Sequence, residues 1–500
     1  MRTAAWPPDP AVNFASAPFI LGFLPVTLAL FHALRGPRAG EWRMVFLILA
    51  SAVFYLSSGW QNGLVLAASI GGNFLAGRLM LASKPKRRKA IMWLAVLGNL
   101  ALLLGFKLTI LAADSPDGFT VAEDVVLPLA LSFVTFQQIG FIVGVLRGTI
   151  KAFTLREYLF FVLFFPQLVL GPIIRFEDVQ RQLHDGALQR VESVRIVTGL
   201  AVFCLALVKK LLLADPLGRR ATQVFEAAQH GPVAMADAWY GVVTFQLQLF
   251  FDFSAYAEMS IGLAMMLGMT MPLNFDRPLF ARDRADLWRR WHISFSTFMR
   301  NTVFMPLMRR WKWPAWAALA LTGVLSGLWH GLGATFVLWG LLQTAILLWL
   351  HWRTTSRRHS GKVPLPAAVA IPVTFATTCL LGALFRSPDI AAAQNIYGSL
   401  AGLGSYAGIT SQLTVKALAM TLTAALVVWC LPDMGQLFRD RWRFTELRAG
   451  AQPPPRHWLE PWLAFRPGGA WGCACAIAIV VALFMLLRQD QAARFIYVQF

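Results

Sequence analysis

Charge is scarce in this chain. Only 14% of its 500 residues are Asp, Glu, Lys or Arg, against roughly 25% in soluble domains. That shortage excludes the several soluble domains that length alone suggests at ~150 residues each. Cysteine is rare as well. The five (Cys204, Cys379, Cys430, Cys473, Cys475) form no CxxC pair, so a disulfide scaffold, a redox motif and a zinc site find no support. No HExxH, GxSxG or Walker loop occurs, which leaves a metal-dependent hydrolase or an ATP-driven pump without its machinery and predicts no bound metal. The polar/apolar alternation over ~10 residues that marks a membrane β-barrel is missing too. So is any repeat of fixed period.

Apolar surface is what the chain has in quantity. Hydrophobic residues make up 57%, with 38 Phe and 19 Trp, and mean hydropathy is +0.57. These values predict an all-α polytopic membrane protein, with roughly 11–13 transmembrane or re-entrant helices at ~20 apolar residues per span. The expected segments are 16–34, 44–60, 62–82, 90–113, 125–146, 157–174, 196–214, 236–270, 314–330, 334–351, 365–385, 416–431 and 470–488. The polar connectors are too short to bury a second core, so residues 1–500 read as one domain. The first apolar run, Phe19 to Leu34, lacks a small-residue cleavage site after it and reads as a retained span.

The net charge of +20 fits basic cytoplasmic loops better than nucleic-acid binding. Arg35, Arg38 and Arg43, then Lys84, Lys86, Arg87, Arg88 and Lys89, follow the first and third segments. The loop with Asp114, Asp117, Glu123 and Asp124 holds no basic residue. This alternation puts the N-terminus outside, which is the periplasm if the membrane is a bacterial inner membrane. The later basic loops at 275–300, 352–362 and 439–448 are then cytoplasmic if segment 157–174 does not fully cross. Pro166 and Gly171-Pro172 interrupt that segment. They leave two possibilities, a Pro-kinked span or a broken one that lines protein or a cavity.

Polar groups in apolar runs are functional candidates because their burial is costly. His330 lies in Gly327-Leu328-Trp329-His330-Gly331, with no charge between Lys312 and His351. It is expected to line a cavity, either as a reactive imidazole or as a hydrogen-bonded packing residue. His292 ends Trp288-Arg289-Arg290-Trp291-His292. That amphipathic stretch suits an interfacial anchor or a mouth for a phosphate-bearing ligand. Asp252 and Tyr256 share a helix face, and interhelical bonding is at least as good an account of them as catalysis. His32, His184, His230, His351, His359 and His457 read as surface or interfacial residues.

At these blocks the chain resembles the membrane-bound O-acyltransferase superfamily, in its bacterial branch of alginate O-acetylation and D-alanyl transfer proteins. The further markers are Gly171-Pro172-Ile173-Ile174-Arg175-Phe176, Lys209-Lys210-Leu211-Leu212-Leu213-Ala214-Asp215-Pro216, Phe251-Asp252-Phe253-Ser254-Ala255-Tyr256, Asn274-Phe275 with Pro278, Leu384-Phe385-Arg386 and the terminal Phe495-Ile496-Tyr497-Val498-Gln499-Phe500. The most recognisable part is 157–390, with C-terminal spans over 391–500. The resemblance implies a ring of tilted helices around a central tunnel. His330 is then the catalytic residue deep inside, and His292 a second functional His near the cytoplasmic mouth. Trp288, Arg289, Arg290, Asn301, Trp329, Asp252 and Tyr256 become candidates for the tunnel or substrate contact. After the WRRWHIS block the branch usually continues W-L-R-D-Y-L-Y-I-P-L-G-G. Here Asn301 stands for the Asp, Val303 for the Tyr, and Met308-Arg309 for the glycines. The departure bears on substrate identity rather than on acyl transfer.

The expected activity is O-acyl transfer from a cytoplasmic thioester. The donor is acyl-CoA, in the first instance acetyl-CoA, used as substrate and not as a bound cofactor. The acceptor is a hydroxyl on an envelope or exported polysaccharide, or on a periplasmic esterase-like partner. Membrane lipid is the surrounding partner, and no nucleic acid is expected. D-Alanyl transfer from a carrier protein and a non-enzymatic transporter or channel stay open.

Overall fold

A computed structural model describes residues 13–113, 130–357, 365–404, 414–444 and 457–488, and its regular elements among these are all helices. The acidic loop at 114–124, His359 and the terminal 495–500 block lie outside the described residues. Among the described residues, seven helices have the length and composition to cross a membrane: Ala39–Leu56, Trp60–Leu81, Pro85–Leu111, Ser193–Ala227, Ala334–Thr355, Ala367–Arg386 and Gly469–Leu486. Four shorter apolar helices accompany them: Pro18–Ala33, Leu131–Arg147, Ala315–His330 and Val415–Cys430. Their outer faces carry exposed Leu64, Leu94, Ile477 and Val480, as expected where the solvent is lipid.

The centre is the 32-residue helix Met235–Met266, buried along most of its length. At 1.5 Å per residue it spans about 48 Å, longer than the ~30 Å hydrocarbon core. That accounts for a segment too long to read as a simple span. It packs against Ser193–Val208 where Gly199 meets Gly262. A Cβ on either would come 2.6 Å from the other's carbonyl oxygen, so only glycine allows the approach. Ala315–His330 and the following Ala334–Arg357 cross in the same way. A Cβ on Gly327 would sit 2.7 Å from the Gly340 Cα.

Asp252 has the partner that its burial demands. Lys210 Nζ lies 2.5 Å from Asp252 and 2.7 Å from Asp215, and all three side chains are almost fully buried. Lys210 stands on a π-helical turn, Lys209–Ala214. That turn also aims Lys209 at Glu258, 2.6 Å away. Tyr256, predicted on Asp252's face, stacks on Phe14 at 4.7 Å between centroids.

The prolines in 157–174 break the segment rather than kink it. Helix Leu155–Leu163 starts on a Thr154/Glu157 capping box and stops at Phe164, one turn follows at Phe165–Leu168, and helix resumes only at Phe176–His184. The freed backbone groups find hydroxyls from three distant positions. Phe165 N–H donates to Ser51 Oγ (3.0 Å) and Ile173 N–H to Ser294 Oγ (3.0 Å). The Ser260 hydroxyl donates to the Pro166 carbonyl. Protein, not lipid, therefore satisfies the irregular backbone. Arg43, expected among loop charges, is buried and donates to the carbonyls of Phe31, Leu188 and Gln189.

Candidate active site

His330 is the last residue of its helix, because Gly331 leaves helical geometry (φ −175°, ψ 161°). A Cβ on Gly331 would strike the Phe336 ring at 2.3 Å, so the glycine lets the chain turn tightly into the next helix. The Lys107 ammonium donates to the carbonyls of Trp329 (2.6 Å) and His330 (3.1 Å). A cation there satisfies helix-end oxygens that the last turn leaves open. The imidazole is 6% exposed. Trp329 lies 4.5 Å from it between centroids, and Phe385 (4.9 Å) and Trp339 (5.3 Å) meet it edge-on. Phe385, from the Leu384-Phe385-Arg386 block, thus touches the central imidazole.

His292 links two short helices, Arg284–Arg290 and Ile293–Met299, in left-handed backbone (φ 45°, ψ 53°). Such a conformation is uncommon for a non-glycine residue and persists where surroundings hold it. Here the holder is Asn274. Its backbone carbonyl accepts from Ile293 N–H at 3.0 Å. Its side-chain Oδ1 accepts from Ser294 N–H (3.0 Å) and Ser294 Oγ–H (2.9 Å), and lies 3.3 Å from His292 Nδ1. A backbone N–H can only donate, so this amide atom must be the oxygen. His292 Nδ1 then carries the proton, and the lone pair is on Nε2. Nε2 is buried without a hydrogen-bond partner among the described residues.

His292 is 1% exposed, so it does not form a solvent-facing mouth. Phe253 (4.8 Å), Phe295 (5.1 Å) and Trp329 (6.1 Å) surround its ring. Trp329 therefore touches both histidines. Its indole Nε1 is buried with no acceptor among the described residues, a donor aimed into the same neighbourhood.

A cavity of about 50 Å³ opens beside His330, lined by Trp288, Trp291, Trp339, Phe385 and the polar Arg284, Gln246, Gln343 and Thr378. Of the sequence candidates, His330 and Trp288 line this cavity, and Trp329, packed on both imidazoles, brings His292 next to them. Arg289 is exposed and Arg290 half-buried, and both bond to Asp286. Asn301 sits on a second π-helical turn, Arg300–Phe304, where its carbonyl accepts from Arg147 at 2.8 Å. Asp252 and Tyr256 face Lys210 and Phe14, outside this lining. The sequence did not single out Lys107, Gln343 or Asn274's place under His292, and it covered Arg284 only within the basic loop 275–300. Lys107, an isolated cation inside apolar segment 90–113, was the available signal.

Two buried imidazoles around one indole, with water largely excluded, can move a proton while protecting a reactive ester or thioester. Among the described residues no cluster of His, Cys, Asp and Glu could hold a metal ion. Comparison with known proteins agrees with that chemistry. A profile of the membrane-bound O-acyltransferase family matches residues 143–377, which include both histidines. A protein named probable alginate O-acetylase, from Pseudomonas syringae, is 31% identical over 436 residues, covering 83% of this chain and 80% of its own. A peptidoglycan O-acetyltransferase of Helicobacter pylori is 29% identical, with 77% and 79% covered. A teichoic acid D-alanyltransferase of Streptococcus thermophilus is 30% identical over 51% of this chain and 68% of its own. With an all-helical membrane fold and this extent of similarity, the chain belongs to the membrane-bound O-acyltransferase family and is an O-acyltransferase.

Proposed function

We propose that the protein transfers an acetyl group from acetyl-CoA, bound from the cytoplasm, to a hydroxyl on an envelope polysaccharide or on a periplasmic partner that completes the transfer. His330 is the general base. Its neutral imidazole takes the proton from the acceptor hydroxyl as that oxygen attacks the thioester carbonyl. The tetrahedral intermediate collapses, the carbon–sulfur bond breaks, and the CoA thiolate leaves and receives the proton. His292, with its lone pair on Nε2, serves the same reacting group from the other side of Trp329. The observation that carries the proposal is the burial of both imidazoles against one indole, in a pocket of aromatic walls. Water kept out of such a pocket cannot hydrolyse the thioester. The acetylase relatives match more than three quarters of this chain and the D-alanyltransferase about half, which favours acetyl over D-alanyl. The distribution of Lys and Arg supports an inner-membrane protein with its basic loops in the cytoplasm.

The test is transfer of labelled acetyl from acetyl-CoA by the full-length protein in native membranes. His330→Gln keeps bulk and hydrogen bonding but not basicity. It is expected to lower transfer by ~10²–10⁴-fold at unchanged folded yield. Near-wild-type transfer by well-folded His330→Gln refutes the assignment.

A further inference from the structure

Among the described residues, Arg284 is a buried cation with no anion beside it. Its side chain is 5% exposed and lines the cavity beside His330. Both partners of its guanidinium are neutral: Nε donates to Gln343 Oε1 (3.2 Å) and a terminal nitrogen to Thr378 Oγ1 (2.6 Å). Among the described residues, no Asp or Glu lines the cavity. The nearby acids are engaged elsewhere. Asp283 accepts from Asp286 N–H, and Asp286 holds Arg289 and Arg290. An uncompensated charge at this depth is costly, so it asks for a counter-charge that the described residues do not supply.

The rest of the lining asks for the same thing. Arginine has no acceptor, so the Gln343 atom facing it must be oxygen, and the amide nitrogen points elsewhere. That nitrogen is buried with no partner among the described residues, and so is Trp288 Nε1. Three donors therefore serve one small cavity. Its size and the planar guanidinium suit a carboxylate, which can accept two parallel N–H bonds. The phosphates of a CoA donor are separated from the thioester by the whole pantetheine arm, so an anion this near His330 must lie close to the reacting atoms.

We propose that Arg284, Gln343 and Trp288 form a carboxylate-binding subsite that selects a substrate bearing a carboxylate next to the reacting group. This rests on His330 marking the reaction centre. The carboxylate has two chemical sources: the acyl group, if it is a dicarboxylic half-ester such as succinyl, or the acceptor, if it is a uronate sugar.

The experiment measures kcat/KM with the full-length protein in two arms. One compares succinyl-CoA with acetyl-CoA. The other compares an oligouronate acceptor with its carboxyl-reduced, neutral counterpart. The wild type is expected to prefer the carboxylate-bearing member in one arm, which names the source. Arg284→Met should cut that preference by about 10–100-fold, the loss expected for a hydrogen-bonded charge. Gln343→Glu places a carboxylate of the chain's own against Arg284. It should cut the preference similarly while keeping the cation paired, so it answers even if Arg284→Met fails to fold. Independently of turnover, succinate or the oligouronate should raise the Tm of the wild type more than that of Gln343→Glu. Unchanged preferences in both arms, or equal Tm shifts, overturn the subsite. His330→Gln separates the two proposals, since loss of its base should lower transfer strongly in both arms without altering the Tm shift.

Discussion

Replacing Asn274 by leucine should do more harm than its modest hydrogen-bond count suggests. Its Oδ1 accepts from Ser294 N–H and Ser294 Oγ–H and faces His292 Nδ1. Ser294 Oγ in turn accepts from Ile173 N–H in the broken segment. Leucine leaves at least two buried donors, Ser294 N–H and His292 Nδ1–H, without an acceptor. At ~1–3 kcal/mol each, the cost is about 2–6 kcal/mol, a large share of the ~5–15 kcal/mol that holds a typical protein folded. His292 also loses the bond that fixes its tautomer. We expect Asn274→Leu to give little monodisperse protein and a Tm well below wild type in detergent. Asn274→Asp keeps an acceptor for all three donors and should fold, with His292 Nδ1–H bonded to a carboxylate. Size-exclusion profiles and thermal unfolding, followed by acyl transfer on the folded fraction, decide it. Asn274→Leu protein as stable and as active as wild type would refute the reasoning, because the amide would then be dispensable to both the backbone and the imidazole.

Gly327→Leu should block the crossing with Gly340, where even a Cβ comes within 2.7 Å of backbone. We expect it to abolish folded yield, while Leu325→Ala on the exposed side of the same helix should be tolerated; equal yields in membrane extracts would contradict the crossing. Lys210→Met strands two buried carboxylates, Asp252 and Asp215, and should destabilise by about 3–5 kcal/mol. Replacing all three charged residues with apolar ones of similar volume should recover most of the loss in thermal unfolding. Lys210→Met alone matching wild type would show that the cluster contributes nothing.

The helical membrane fold was legible because continuous apolar runs leave no other structure able to satisfy its backbone in lipid. His330 and His292 were legible too, as polar groups whose burial needs a reason and as parts of recognisable blocks. What could not be read was which distant residues meet. Lys107 reaches the end of the His330 helix from 223 positions away. Asn274 sits under His292, and Gln343 turns its amide toward Arg284. None of these pairings leaves a local period or spacing. Arg284 shows the limit from the other side. Its surroundings read as a basic loop, but only five positions on one short helix separate exposed Arg289 from a guanidinium facing the cavity.

The broken stretch between Phe164 and Phe176 imposes an order on biosynthesis. Its first loose amide can be satisfied once it emerges from the ribosome, because Ser51 precedes it by 114 residues. The Pro166 carbonyl must wait for Ser260, and the Ile173 amide for Ser294, 121 residues later. Until then the stretch has no protein partner for these groups and is better served by water than by lipid. The amino-terminal third of the chain therefore cannot mature as an independent unit. Its last piece closes only when the segment carrying His292 arrives, so the nascent protein completes its scaffold and its reactive centre in the same event.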